Sequence, residues 1–322
     1  WDLVLGMVVL LGWTLGGALG WLDRAVASVI ADPLWSGVLL VTAAVTIGGL
    51  IELPLSIWRT FRIEERFGFN RTTPIGFVKD RLLGGLLALI LGVPLVAVIL
   101  WLMGSTGPYW WLWAWLVWMG FALFVTWAYP IWIAPMFNRF RPLGDDSLRA
   151  RLEALLQRCG FRSNGMFVMD GSRRSAHGNA YFTGLGSNKR IVFFDTLLQG
   201  LDADEVEAVL AHELGHFKRR HVAKRLALSA VMALLGLGLL GWLSQQAWFY
   251  SGLGVGHATP ALALLLFILV LPVFTVFVSP LTAMLSRRHE FEADDFAAEQ
   301  TDPRHLINGL VKMYRDNAST LT

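Results

Sequence analysis

Long apolar stretches dominate this chain and divide it into segments of membrane-spanning length. A transmembrane helix needs about 20 mostly apolar residues to cross roughly 30 Å of hydrocarbon. Charged or turn-forming residues bound each stretch that meets this requirement. The pattern predicts a mostly α-helical, polytopic membrane protein with six spans in this chain, at residues 3–22, 34–58, 82–103, 110–134, 226–249 and 261–285.

The pattern becomes that of a water-soluble domain between the fourth and fifth spans, at residues 135–225. Apolar spacing there predicts amphipathic helices, and short runs of apolar residues predict strands. We therefore expect an α+β insertion with helices at 145–158 and 204–219, strands at 166–169 and 191–194, and a candidate third strand at 179–183 followed by a turn at 184–188.

This pattern also predicts the domain organisation. Residues 1–134 should hold four spans with a basic cytoplasmic loop at 59–81, and residues 226–285 should hold two more spans. Residues 286–322 should form a cytoplasmic helix and a tail that is cut short.

Composition agrees with a membrane protein. Only 16% of the 322 residues are charged, 55% are hydrophobic and the mean hydropathy is +0.53, whereas an average soluble domain is roughly 25% charged. The net charge of +3 gives no reason to expect a nucleic-acid partner. The single cysteine, Cys159, excludes an internal disulfide and a cysteine-cluster metal site.

The positive charges predict the orientation in the membrane, because Lys and Arg accumulate in cytoplasmic loops. Of the 27 Lys and Arg residues, 26 lie in alternate inter-span segments, and only Arg24 lies on the other side. The insertion and the C-terminal segment should therefore face the cytoplasm. The use of 22 Arg against 5 Lys suggests a GC-rich genome, so we expect a bacterial inner-membrane protein.

A His-Glu-x-x-His motif lies inside the helix predicted at 204–219. Residues i and i+4 share one face of a helix, so His212 and His216 can offer ring nitrogens to one zinc ion. Glu213 lies beside the first histidine, where its carboxylate can take a proton from a water that the zinc has made acidic. Gly215 would let backbone or substrate approach the helix closely.

A catalytic zinc needs a third protein ligand and keeps one position open for water. Glu290 is the candidate, because Asp294 lies at i+4 on the same helical face and can accept the free ring N–H of a ligating histidine. Glu292 should point about 200° away from Glu290. His289 is more plausible as an interfacial residue than as a ligand, and His221 as a surface residue.

These residues resemble those of the type 1 CAAX prenyl proteases, integral-membrane zinc metallopeptidases of the gluzincin kind. The matching stretches are Phe-Gly-Phe-Asn-Arg at 67–71, Ser-Ala-His-Gly-Asn-Ala-Tyr-Phe-Thr-Gly at 175–184, the motif at 212–216, and residues 286–294 with Phe296 and Ala297. The resemblance implies seven membrane helices around a water-filled chamber, with zinc at the cytoplasmic end.

The resemblance also implies roles for individual residues. His212, His216 and Glu290 match the family's zinc ligands, and Glu213 matches its catalytic glutamate. Asn179 matches a residue that holds the substrate backbone, and an edge strand there would suit that role; the nearby His177 is a weaker candidate for substrate contact. The family has one more span before the first and a tail carrying a His-Pro-Pro element, so we expect this sequence to be a piece of a longer protein.

We therefore predict a membrane-embedded zinc metalloendopeptidase with one zinc ion per chain. It would cleave peptide or protein substrates in the bilayer, in membrane-protein processing or quality control, and the sequence predicts no particular oligomeric state. The alternative is a non-catalytic membrane scaffold stabilised by zinc. A zinc transporter is disfavoured, because the candidate ligands lie at helix ends and not midway through the spans.

Overall fold

The computed structural model describes residues 2–161, 163–183 and 190–316. The chain forms two compact units. The first comprises Trp1–Leu55, Arg81–Ala122 and Ala227–Leu281, and the second comprises Ser56–Asp80, Leu123–Leu226 and Thr282–Thr322. The predicted loop at 59–81 and the end of the predicted fourth span therefore group with the soluble insertion.

Within the described residues, five helices are long and apolar enough to cross a membrane, and a bent helix pair makes a sixth candidate. The pair is α1 (Asp2–Trp13) and α2 (Ala18–Ala27). The helical segments are α3 (Pro33–Trp58), α4 (Pro74–Ser105), α5 (Trp110–Ala128), α6 (Ala134–Phe137), α10 (His221–Leu243), α11 (Ala247–Ser251) and α12 (Pro260–Gln300). The prediction of a polytopic α-helical membrane protein is confirmed.

The predicted first span is not one straight helix. α1 and α2 meet at an angle of 50°. Gly17 adopts φ = +75° at the break, a left-handed conformation that glycine accepts without strain. The hydrophobic pattern runs through this break without a change, so it gave no signal of the bend.

Helical structure also extends beyond the predicted spans. A π-helical segment, Arg59–Glu64, continues α3 into the predicted basic loop, and α4 begins at Pro74. Another π-helical segment, Tyr129–Ile133, joins α5 to α6. The non-helical part of the predicted basic loop at 59–81 is therefore shorter than the whole range, since charged residues continue a helix as readily as apolar ones where no breaker intervenes.

The last predicted span and the predicted helix after it are one continuous element. α12 has 41 residues, which corresponds to about 60 Å at 1.5 Å per residue. The sequence holds no glycine or proline between residues 281 and 300, and Pro303 begins the next helix, α13 (Pro303–Asp316). Glu290 therefore lies on the same helix as the last span.

The first unit is apolar both inside and outside. Leu40, Leu240, Leu262 and Leu266 are fully buried in its core. Many outward side chains are also large and apolar, and Phe277 is 77% exposed. Such a surface suits a bilayer, because lipid tails solvate apolar side chains.

The second unit contains a four-stranded sheet with the order β1-β2-β4-β3. The strands are β1 (Phe140–Pro142), β2 (Met166–Met169), β3 (Ala180–Thr183) and β4 (Arg190–Phe194). β2 and β4 are parallel, whereas β1 and β3 run antiparallel to their neighbours. The three predicted strands are present, β1 was not predicted, and the predicted turn at 184–188 lies outside the described residues.

Three helices pack beside this sheet: α7 (Asp146–Arg158), α8 (Asp195–Gly200) and α9 (Ala203–Lys218). Side chains from the sheet and the helices share one core, which includes Leu152, Phe193, Leu210 and Leu214. Since β3 lies at the end of the strand order, the predicted edge strand near Asn179 is an edge strand of the sheet.

Candidate metal centre

The His-Glu-x-x-His motif lies in the last two turns of α9. A capping box fixes the start of this helix, because the Asp202 side chain accepts from the Glu205 N–H and the Glu205 side chain accepts from the Asp202 N–H, each at 3.0 Å. The apolar face of α9 lies in the core. His212 and His216 lie outside that core, with side chains 15% and 18% exposed.

Gly215 allows α12 to pack directly against the motif. A Cβ atom at this position would lie 2.9 Å from Ala293 Cα and 3.0 Å from the Ala293 carbonyl oxygen, closer than such atoms approach. The expectation that backbone approaches the helix at Gly215 is confirmed. This contact lies between Glu290 and Asp294 on α12, and both carboxylates reach the histidines of the motif.

Three donor atoms converge at the junction of α9 and α12. His212 Nε2 lies 3.1 Å from His216 Nε2. Glu290 Oε2 lies 3.5 Å from the first of these atoms and 3.3 Å from the second. A tetrahedral zinc with bonds of 2.0–2.1 Å separates its ligand atoms by about 3.3 Å. The three residues therefore fit a zinc ion, and three ligands leave one corner free.

Asp294 lies behind the first histidine. Its Oδ1 lies 2.8 Å from His212 Nδ1, so the carboxylate can accept the ring N–H that metal binding leaves free. Burial alone would lower the pKa of His212, but the hydrogen bond to Asp294 and the nearby Glu213 and Glu290 outweigh it and raise the pKa. The contact predicted from the i, i+4 spacing of Glu290 and Asp294 is present.

Glu213 lines a cavity of about 880 Å³ together with His212, His216 and Glu290. Burial, assisted by the negative charge of Glu290, raises the pKa of Glu213 to about 7, although His212 acts in the opposite direction. A carboxyl group with such a pKa can both accept and return a proton near neutral pH.

The two predicted substrate-binding residues lie in different surroundings. Asn179 lines the cavity, along with the β3 residues Ala180, Tyr181 and Phe182. Burial raises the pKa of Tyr181 to about 12, so its hydroxyl stays protonated. His177 stacks on Phe69, with ring centroids 4.6 Å apart, and is not among the described residues that line the cavity.

Sequence reasoning missed a second group of side chains next to the ligands. His221 was expected at the surface, but its side chain is 1% exposed and its Nδ1 lies 3.0 Å from His216 Nδ1. His289, expected at an interface, is 2% exposed and stacks on His221. The surface expectation for His221 is wrong: Arg220, between α9 and α10, has φ = +57°, and His221 directly after it contacts His216 of the motif.

A multi-pass helical membrane protein that carries this donor set has the architecture of an integral-membrane metallopeptidase. Comparison with known families supports the same class. Residues 1–139 match the family described as "CAAX prenyl protease N-terminal, five membrane helices", and residues 142–320 match peptidase family M48. The chain belongs to peptidase family M48, and the resemblance predicted from its motifs is confirmed.

Individual relatives support the same family assignment. The chain is 36% identical over 273 residues to the CAAX prenyl protease 1 homolog of Arabidopsis thaliana, covering 84% of this chain and 64% of the relative. It is 33% identical over 289 residues to CAAX prenyl protease 1 of Saccharomyces cerevisiae, covering 84% and 64%. The crystal structure of S. mikatae Ste24p matches with a TM-score of 0.85 at 29% identity, covering 90% of this chain and 71% of that chain. This chain thus spans less than two thirds of the two curated relatives.

Proposed function

We propose that this chain is the core of a membrane-embedded zinc metalloendopeptidase. His212, His216 and Glu290 would hold one zinc ion, and Glu213 would act as the general base. The triangle formed by the three donor atoms, with sides of 3.1 to 3.5 Å, is the observation that supports this proposal. Zinc bound there would make a water molecule acidic near neutral pH and polarise a peptide carbonyl.

Side chains of this protein would then accept and donate the protons of the reaction. Glu213 takes a proton from the attacking water and later gives it to the leaving amine. Asp294 holds the His212 ring with its proton on Nδ1 and its Nε2 lone pair free for the metal. Each of these groups lies in the same part of the second unit, on α9 or α12.

We propose that the substrate backbone adds to the free edge of β3. The Asn179 carbonyl accepts from the Phe194 N–H at 2.9 Å, so Asn179 faces β4. Because backbone groups alternate in direction along a strand, those of Ala180 and Phe182 point away from β4. An extended peptide can pair with such an edge. The Asn179 side chain, which now accepts from the Ala180 N–H at 2.8 Å, would be free to bind the substrate instead.

We propose that the catalytic centre lies on the cytoplasmic side of the membrane. Twenty-six of the 27 Lys and Arg residues lie in the segments that alternate with the outer loops, and the second unit contains most of these segments. The relatives are named as CAAX prenyl proteases. The substrates we propose are accordingly peptides or proteins at the membrane, in processing or quality control.

The test is Glu213→Gln in the full-length protein, purified in detergent. The variant should keep one zinc per chain and lose cleavage of CAAX-type and unmodified peptides by about 10²–10⁴-fold, the usual contribution of a general base. Glu299→Gln, at an exposed position on α12, is the matched control and should cleave normally. Zinc retention without cleavage by the wild-type protein would instead support a structural metal site in a scaffold. Full activity of Glu213→Gln would refute the assignment of the base.

A further inference from the structure

The two histidines of the proposed metal site have different partners behind them. His212 contacts a carboxylate directly, through Asp294. His216 contacts another histidine: its Nδ1 lies 3.0 Å from His221 Nδ1. His221 in turn places its Nε2 3.0 Å from Glu292 Oε2. The spacing of the His-Glu-x-x-His motif does not predict this series of contacts from His216 through His221 to Glu292.

The ring protons in this series of contacts can be assigned from the chemistry of imidazole, provided that His216 binds a metal through Nε2. Its only ring proton then lies on Nδ1 and can be donated to His221 Nδ1. His221 must therefore be protonated on Nε2, which donates to the Glu292 carboxylate. Both contacts are satisfied by neutral imidazoles and an ionised Glu292. Read from the carboxylate inward, Glu292 holds the His221 proton on Nε2, so His221 Nδ1 can only accept and holds the His216 proton on Nδ1.

Burial and stacking hold His221 in this orientation. Its side chain is 1% exposed. Its ring lies parallel to that of His289, with centroids 4.1 Å apart and an interplanar angle of 14°. His289 is itself buried, and its Nδ1 has no hydrogen-bond partner among the described residues. The stacked pair therefore leaves the His221 ring little freedom to turn away from His216.

Glu292 is held as a charged acceptor by cations. Arg288 Nε lies 3.0 Å from its Oε1, and Lys224 Nζ lies 3.6 Å from its Oε2. Glu292 also lies two residues from both Glu290 and Asp294 on α12. One short stretch of α12 thus supplies three groups of the site. Glu290 is the candidate ligand, Asp294 contacts His212, and Glu292 accepts from the histidine that contacts His216.

We propose that His221 and Glu292 form a positioning pair that orients His216 for metal binding. This inference rests on the proposed metal site and extends it to residues outside the His-Glu-x-x-His motif. Partners of this kind typically change metal affinity or activity by about 10–100-fold when they are removed. His221 and Glu292 are positioning residues, because their hydrogen bonds connect to the proposed ligands through His216.

The test measures zinc affinity by chelator competition in the purified full-length protein, with His221→Phe, His221→Gln and Glu299→Gln. Phenylalanine keeps the stacking on His289 but removes both hydrogen bonds, so zinc should bind about 10–100-fold more weakly. Glutamine can accept from one side and donate to the other, so it should recover much of the loss. Glu299→Gln, on the same helix as Glu292, should bind zinc as the wild-type protein does.

A kinetic measurement accompanies the affinity measurement. With saturating zinc, His221→Phe should lower kcat for a peptide substrate and leave KM unchanged, because the His221 side chain is 1% exposed and its ring nitrogens contact His216 and Glu292. Thermal unfolding of the metal-free proteins separates a lost contact from a damaged fold. If His221→Phe does not fold, Glu292→Ala takes its place, since it leaves the ligands and His221 intact.

The outcomes are distinguishable. Equal zinc affinity in the wild-type protein and in His221→Phe, or in Glu292→Ala if that variant is needed, would overturn the positioning pair and leave the metal site standing. A wild-type protein that retains no zinc would overturn both proposals. Weaker zinc binding in His221→Phe with recovery in His221→Gln supports the pair.

Discussion

Substitution of Gly215 by alanine should damage the metal centre more than it damages the fold. The added Cβ would lie 2.9 Å from Ala293 Cα and 3.0 Å from the Ala293 carbonyl oxygen. Carbon atoms in favourable contact are about 3.5–4.0 Å apart. α9 and α12 must therefore separate locally by about 0.5–1 Å. Overpacking of this kind typically costs about 1–3 kcal/mol, and alanine recovers about 1 kcal/mol in a helix.

The same displacement acts on Glu290, three residues before Ala293 on α12. The triangle of donor atoms has sides of 3.1 to 3.5 Å, and ligand distances must stay within about 0.2 Å of their normal values for zinc to bind well. A misplacement of about 1 Å can cost on the order of 100-fold in rate. We therefore expect zinc affinity to fall at least about tenfold and peptide cleavage about 100-fold, while the free energy of unfolding falls by about 2 kcal/mol or less.

The assay compares chelator competition, peptide cleavage and thermal unfolding of the metal-free protein in detergent. Gly309→Ala is the matched control, because its Cβ would meet Glu205 Cβ at 3.5 Å, an ordinary contact in the same unit. That variant should keep full activity and be equally or slightly more stable. Wild-type zinc affinity and cleavage in Gly215→Ala would refute the argument that close helix packing at this position sets the ligand geometry.

Two further substitutions test the surroundings of the site. Asp294→Asn removes the negative charge next to His212 and should weaken zinc binding about 10–100-fold. The control Asp295→Asn, at an exposed neighbouring position, should leave zinc binding unchanged. Equal effects of the two substitutions in a chelator titration would contradict the role of Asp294 in orienting His212. Arg174→Lys breaks a two-pronged contact with Asp80 (2.7 and 2.9 Å) and should destabilise the protein by about 1–2 kcal/mol. Arg173→Lys, whose ion pair with Asp170 is more exposed, should be nearly neutral in the same thermal unfolding experiment.

The sequence predicted those parts of the site that depend on one helix at a time. His212 and His216 share a face of α9 because they are four residues apart, and Glu290 and Asp294 share a face of α12 for the same reason. Strand β3 was predicted from its local pattern and turn residues. The spacing rules applied there because each relation lies within a single regular element.

The remaining parts depend on contacts between elements. His221 contacts His216 across the junction of α9 and α10, where Arg220 adopts a left-handed conformation, and helical spacing contains no sign of this. The bend at Gly17 and the continuation of α12 past residue 285 were missed for a related reason. The hydropathy of a segment predicts whether it lies in an apolar or an aqueous environment. It does not predict where the helix backbone bends or where it ends.

The position of Glu290, Glu292 and Asp294 on one uninterrupted helix makes the site sensitive to the length of the chain as well as to its chemistry. Deleting a single residue of α12 shortly before Glu290 would turn all three carboxylates by about 100° around the helix axis and shift them by about 1.5 Å along it. Each of them would then leave its histidine at once, although every functional residue would still be present. Insertions and deletions in this part of α12 should therefore harm the site far more than most substitutions do.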